Sequence, residues 1–97
     1  MNNHNYYVYI TTNPHRTVLY TGLTNNLKRR IFEHINNRGN KNSFAGRYYC
    51  YVLVYFEFFT DIKSAIQREK QLKNMTRLKK IQLIEKDNPK WHTLILD

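Results

Sequence analysis

Apolar and polar positions in the 97-residue chain alternate first with strand character and then with helical spacing. Tyr6 to Thr12, Tyr-Tyr-Val-Tyr-Ile-Thr-Thr, is aromatic and β-branched and predicts a strand. Asn13-Pro14-His15-Arg16 has turn chemistry. Thr17 to Thr21 predicts a second strand, antiparallel to the first, which places Tyr9 and Tyr20 on neighbouring strands. Gly22 offers the backbone freedom of a tight turn, and Thr24 or Asn25 can cap the helix that follows. Leu27, Ile31 and Ile35 give that helix, about Asn26 to Asn36, an apolar face. Arg30 and His34, four residues apart, are neighbours beside it.

Asn37 to Arg47 reads as a polar loop containing Gly39 and Gly46. Tyr48 to Phe59 is a long third strand, apolar on both faces, and is expected in the centre of the sheet. Thr60 or Asp61 can cap a second long helix ending near Asn74, and Thr76 a third from Arg77 to about Glu85 with Leu78, Ile81 and Ile84 apolar. Asn88-Pro89 suggests the start of a short last helix in which Trp91 anchors the chain end on the core. Length and the lack of repeats predict one domain, residues 1–97. The expected fold class is α/β in the α+β sense, a three-stranded central sheet flanked by helices.

Composition sharpens this picture in two ways. Sixteen Lys and Arg oppose seven Asp and Glu, a net charge of +9, which points to an anionic partner, nucleic acid first. The single cysteine, Cys50, sits in an apolar run, excludes an internal disulfide and reads as an inert core residue. One Cys and four scattered His cannot form a Cys/His metal site. Neither a signal-peptide pattern at the Met-Asn-Asn-His-Asn start nor a membrane-length apolar stretch is seen, so a cytoplasmic protein is expected.

Two features carry candidate chemistry. On a helical wheel Ile62, Ala65, Ile66 and Leu72 form one stripe with Glu69 in its middle. A carboxylate there needs a partner: a buried cation such as Arg30, or a metal ion. Mg²⁺, which keeps most of its waters and takes one or two carboxylates, suits a lone Glu. From Lys63 to Lys80, seven cations (Lys63, Arg68, Lys70, Lys73, Arg77, Lys79 and Lys80) face one acid, Glu69. With that acid turned inward, the outer surface is a phosphate-binding face. Lys28 and Arg29, with Arg38, Lys41 and Arg47, form a second basic group around the first helix and the loop.

These residues together resemble the GIY-YIG nuclease superfamily. Tyr7-Val8-Tyr9 stands at the first of its two strand motifs and Tyr20-Thr21-Gly22 at the second. Leu27-Lys28-Arg29-Arg30 followed by His34 is similar to the family's helix motif, and Ala65-x-x-x-Glu69-x-x-Leu72-Lys73 to the helix bearing its metal-binding glutamate. The likeness is strongest to the small stand-alone bacterial group. Tyr7 replaces the first glycine and Thr21 the isoleucine of the second motif; neither substitution removes a reactive group. The resemblance implies a GIY-YIG endonuclease-like fold. It also implies hydrolysis of DNA phosphodiesters in a repair or recombination setting, with DNA ahead of RNA as the nucleic-acid partner. Tyr9, Tyr20, Arg30 and His34 would then be catalytic and Glu69 the ligand of Mg²⁺ or Mn²⁺. A tyrosine or the histidine would activate water, and Arg30 would stabilise the phosphate. Larger relatives have separate DNA-binding domains, so a protein partner for targeting is a further expectation. The competing reading is a nucleic-acid-binding module or accessory subunit that does not turn over.

Overall fold

The structure, a computed structural model, describes residues 4–96; the first three residues of the amino-terminal pattern considered above lie outside that range. Strand β1 (Tyr6–Thr12) is the middle of a three-stranded antiparallel sheet in the order β2-β1-β3. Strand β2 (Leu19–Thr24) pairs with it through Tyr9↔Gly22, and β3 (Val52–Phe59) through Tyr9↔Phe56. Helices α1 (Leu27–Asn36), α2 (Phe44–Arg47), α3 (Ile62–Asn74) and α4 (Arg77–Asp87) complete an α+β fold.

The central strand is covered on both faces because its side chains alternate between two apolar sets. Val8 packs with Ala65 and Leu72 of α3, and Ile10 with Val54 and with Ile84 of α4. On the other face Tyr9 packs with Leu27 of α1 and Leu53 of β3. The β1–β2 turn is set by Asn13, whose Oδ1 accepts from the N–H groups of Thr17 and Val18 at 2.8 and 2.9 Å. Each longer helix has a side-chain cap. Asn26 accepts from the Arg29 N–H, Asp61 from Ser64 and Thr76 from Lys79. Capping of α1 therefore falls to Asn26 rather than Thr24 or Asn25; Thr24 Oγ1 instead accepts from the Asn26 N–H.

Several expectations change. The third strand begins at Val52, not Tyr48, and lies at an edge rather than in the centre. Its first half is nonetheless apolar on both faces because α4 and the chain end cover it, although it has a neighbouring strand on one side only. Ile84 and Trp91 pack with Val52, Val54 and Tyr55, while Leu94 packs beside Leu53. The pairing slips between Ile10↔Tyr55 and Thr11↔Leu53, leaving Val54 as a bulge residue. The Val54 carbonyl accepts from Asn88 Nδ2 at 3.1 Å, and the Leu53 carbonyl from the Leu94 N–H at 2.9 Å. Among the described residues no final helix forms. Trp91 takes a left-handed φ of 56°; its indole N–H donates to Glu85, and its carbonyl accepts from Arg16. The polar loop contains α2, capped by Ser43, whose Oγ accepts from the Gly46 N–H at 3.1 Å. Cys50 is buried as expected, and burial pushes its thiol up to about 11.

Candidate active site

Gly22 is not a turn residue. It sits inside β2, opposite Tyr9 in the register. A Cβ there would come within 2.5 Å of Tyr9 Cζ and 2.8 Å of Cε1. The missing side chain is the space that the Tyr9 phenol occupies, so the glycine serves close approach. Tyr9 is fully buried, and its hydroxyl is 2.8 Å from His34 Nε2. Tyr20 on β2 lies beside both, with ring centroids 6.3 Å from Tyr9 and 5.4 Å from His34.

Helix α1 delivers His34 by a stripe different from the expected one. Leu27, Ile31 and His34 face the sheet with Arg30 between them, whereas Ile35 is exposed. The spacing i, i+3, i+4, i+7 puts the two polar residues on the inward face itself rather than beside it. Arg30 Nη1 donates to Glu33 Oε1 at 3.1 Å, so its carboxylate partner is Glu33 and not Glu69. The same guanidinium lines a cavity with Tyr20 and His34 and is close enough to act on Tyr9.

Burial decides the protonation states. It pushes the Tyr9 phenol well above its ordinary range, Tyr20 adds to that, and Arg30 opposes it only in part. Burial, with the Arg30 charge second, lowers His34 to about 4 against a smaller pull from Glu33. At neutral pH the pair is therefore a protonated phenol and a neutral imidazole joined by one hydrogen bond. A cavity of about 250 Å³ opens on the exposed side of this group, lined by Tyr20, Arg30, His34, Asn37, Asn40 and Phe44 among others. Tyr9 stands behind the group.

Glu69 comes to the same neighbourhood from α3, close enough for its charge to act on Tyr9. Its side chain is 19% exposed, and its ion-pair partner is Lys73 Nζ at 3.3 Å. The surrounding apolar stripe is narrower than expected: Ala65 and Leu72 are buried, but Ile62 and Ile66 are exposed. Among the described residues no three His, Cys, Asp or Glu side chains cluster. A lone, partly shielded carboxylate does not fit an all-protein metal cage, but it does fit a hard cation that keeps its waters and shares the substrate's phosphate oxygens. The Lys73 pair is half-exposed, so giving it up would cost little, on the order of 0–1 kcal/mol.

The basic run divides. Lys63, Lys70 and Lys79 are exposed. Arg68 is not part of the open face: it grips Glu57 through Nε and Nη2 at 2.9–3.1 Å, and Glu57 also accepts from the Tyr55 hydroxyl. Arg77 donates to the Thr17 carbonyl at 2.7 Å and ties α4 to the β1–β2 turn. Lys80 is half-buried, and burial, with Arg77 second, lowers its pKa. On the other basic group Lys28 and Arg29 are exposed, Arg29 bonding Asn25 and pairing with Glu33. Sequence reasoning missed Glu33 and the cavity wall at Asn37, Asn40 and Phe44. The first was signalled by its i+3 spacing from Arg30; the second lay in a stretch without periodicity.

Residues 5–82 match the GIY-YIG catalytic domain. The chain belongs to the GIY-YIG family. Within it, the chain is 47% identical over 78 residues to the UPF0213 protein of Clostridium perfringens, covering 80% of this chain and 81% of that one. It is 38% identical over 80 residues to the UPF0213 protein of Staphylococcus haemolyticus, covering 82% and 94%. The solution NMR structure of the UPF0213 protein of Bacillus halodurans is similar at a TM-score of 0.56 and 31% identity, over 92% of each chain. This GIY-YIG chain is thus similar to small proteins of nearly its own length, and its family is one of nucleases. No helix among the described residues is long and apolar enough to cross a membrane.

Proposed function

We propose that this GIY-YIG protein is a metal-dependent endonuclease that hydrolyses DNA phosphodiester bonds in the cytoplasm. The observation that supports the reading most directly is the meeting of Tyr20, Arg30 and His34 at one cavity, with Tyr9 bonded to His34 behind them, in a protein of net charge +9. Phosphodiester hydrolysis builds negative charge on the phosphorane and the leaving oxygen. Arg30, partly exposed and permanently cationic, is the group to bind and stabilise that charge. Tyr20 lines the cavity and is the hydroxyl that meets the water and phosphate; Tyr9, fully buried, positions His34 and Arg30. The neutral imidazole keeps a second cation away from Arg30 and holds the Tyr9 hydroxyl in place. Glu69 would hold the Mg²⁺ or Mn²⁺ ion, which supplies Lewis-acid stabilisation of the phosphate oxygens. Lys63, Lys70 and Lys79 would contact the DNA backbone beyond the cut. The Glu69–Lys73 pair favours the competing reading, a binding module without turnover, because it already satisfies the carboxylate.

One experiment separates the two. Labelled single-stranded, duplex and branched DNA is incubated with the wild type, Glu69→Gln and Arg30→Ala in Mg²⁺, Mn²⁺ or EDTA. Metal-dependent cleavage by the wild type is expected. Glu69→Gln is expected to abolish it while DNA binding persists, and Arg30→Ala to reduce it about 10²–10³-fold with an unchanged circular dichroism spectrum. Cleavage by Glu69→Gln at the wild-type rate would remove Glu69 from the metal site, and no cleavage by the wild type with any ion would rule the nuclease reading out.

A further inference from the structure

The cavity beside Arg30 has a wall that hydrolysis itself does not use. Phe44, at the start of α2, is 51% exposed. Its ring lies at 24° to that of Tyr20, with centroids 6.2 Å apart, and Tyr48 backs it at 4.8 Å. Asn37, Asn40 and Ser43 line the same space. The wall is built firmly. A Cβ on Gly46 would lie 2.6 Å from the Asn40 carbonyl and 2.8 Å from that of Asn37, and the Gly46 carbonyl accepts from the Gly39 N–H at 2.8 Å. Asn40 Oδ1 accepts from the Asn42 N–H at 2.9 Å, which leaves its amide hydrogens for another acceptor.

An aromatic face, side-chain amides with both donors and acceptors, and a guanidinium are thus brought to one cavity of about 250 Å³. The surrounding stretch carries Arg38, Lys41 and Arg47, all exposed, and no acid. A nucleotide offers the complement to each: a π-face, a polar edge and a phosphate. An acidic or lipid ligand would use the cations but not the ring and amides together.

We propose that this cavity takes an unpaired nucleobase of a DNA strand, stacked on Phe44 and read at its edge by Asn37 and Asn40, with the adjoining phosphate at Arg30. The phosphate half of that assignment rests on the nuclease reading above; the base half does not. A base inside a duplex has its faces covered by its neighbours and its edge taken by its partner, so it must leave the stack to enter. The substrates are therefore single strands, flaps and bubbles, with fully paired duplex disfavoured.

The test uses single-stranded DNA carrying 2-aminopurine at successive positions, with Glu69→Gln protein so that no cleavage intervenes. Quenching by stacking is expected at one position. Phe44→Leu, a half-exposed side chain whose replacement keeps bulk, should remove that quenching and weaken binding roughly 5- to 30-fold. Phe44→Trp should restore both. Circular dichroism checks that each variant is folded. An abasic nucleotide at the quenched position should weaken binding by a similar factor. Unchanged affinity for the abasic strand, or quenching that survives Phe44→Leu, overturns the base site. If that happens while wild-type protein still cuts DNA with Mg²⁺, the nuclease reading stands without it. If quenching behaves as expected and no ion supports cleavage, the base site stands and the nuclease reading falls.

Discussion

Replacing Gly22 by Ala tests the central packing relation of the site. The glycine lies within β2 and its φ is not left-handed, so alanine meets no backbone strain there. The whole effect must come from contact. The new methyl would stand 2.5 Å from Tyr9 Cζ and 2.8 Å from Cε1, about 1 Å inside ordinary carbon–carbon separation. Tyr9 cannot swing aside freely, because it is fully buried, packed on Leu27 and Leu53, and bonded to His34. Overpacking of this kind costs about 1–3 kcal/mol. At ~2 kcal/mol the expected fall in Tm for a chain of this size is roughly 8–16 °C. The ring is expected to move away from His34, which breaks the 2.8 Å hydrogen bond. Thermal unfolding gives the first quantity, and the His34 imidazole signals in NMR give the second. The double variant Gly22→Ala/Tyr9→Leu supplies the cross-check: with the phenol gone, the alanine should add little further destabilisation, a coupling of at least about 1 kcal/mol. A Gly22→Ala protein with wild-type Tm and unchanged His34 signals would refute the close-approach explanation of this glycine.

Further expectations follow from the charges. His34 should titrate by NMR with a midpoint near 4, against about 6.5 in the unfolded chain. Because the folded pKa is the lower one, its stabilising contribution is complete above about pH 6.5. It is lost as pH falls toward 4, by at most about 3 kcal/mol; denaturation midpoints at pH 7 and 4.5 measure it, and a His34 midpoint near 6.5 would contradict the burial argument. Arg68→Gln should destabilise the fold by about 1–3 kcal/mol, since it leaves Glu57 partly buried with only the Tyr55 hydroxyl. Its effect on DNA affinity should be smaller than that of Lys70→Gln, and equal losses of affinity at unchanged stability would return Arg68 to the binding face. Reversing Lys63, Lys70 and Lys79 to Glu should weaken DNA binding and flatten its dependence on salt. An unchanged slope in a binding titration across salt concentrations would remove that face from the interface.

Much of this molecule was written locally. The strand at Tyr6–Thr12, the Asn13 turn, and the capped helices after Asp61 and Thr76 follow from propensity and side-chain-to-backbone bonds spanning three to five residues. Adjacent strands were enough to bring Tyr9 near Tyr20, and helical spacing was enough to pair Arg30 with His34 on one side of α1. Tertiary structure alone decided what covers what. A doubly apolar strand reads the same whether strands, a helix or the chain end conceal it, so β3 was expected in the centre and lies at an edge. Gly22 carries the same lack of a side chain whether it turns the chain or admits a ring, and only the Tyr9 phenol across the register distinguishes the two. Glu69 belonged to a partner from sequence logic, yet Arg30 went to Glu33 and Lys73 came to Glu69, because ion pairs three or four residues apart on one helix form without bringing two helices together. The wall at Phe44 was the least legible of all. Its position depends on the fold of the chain around Gly46, and contacts between backbone atoms leave no period in a sequence.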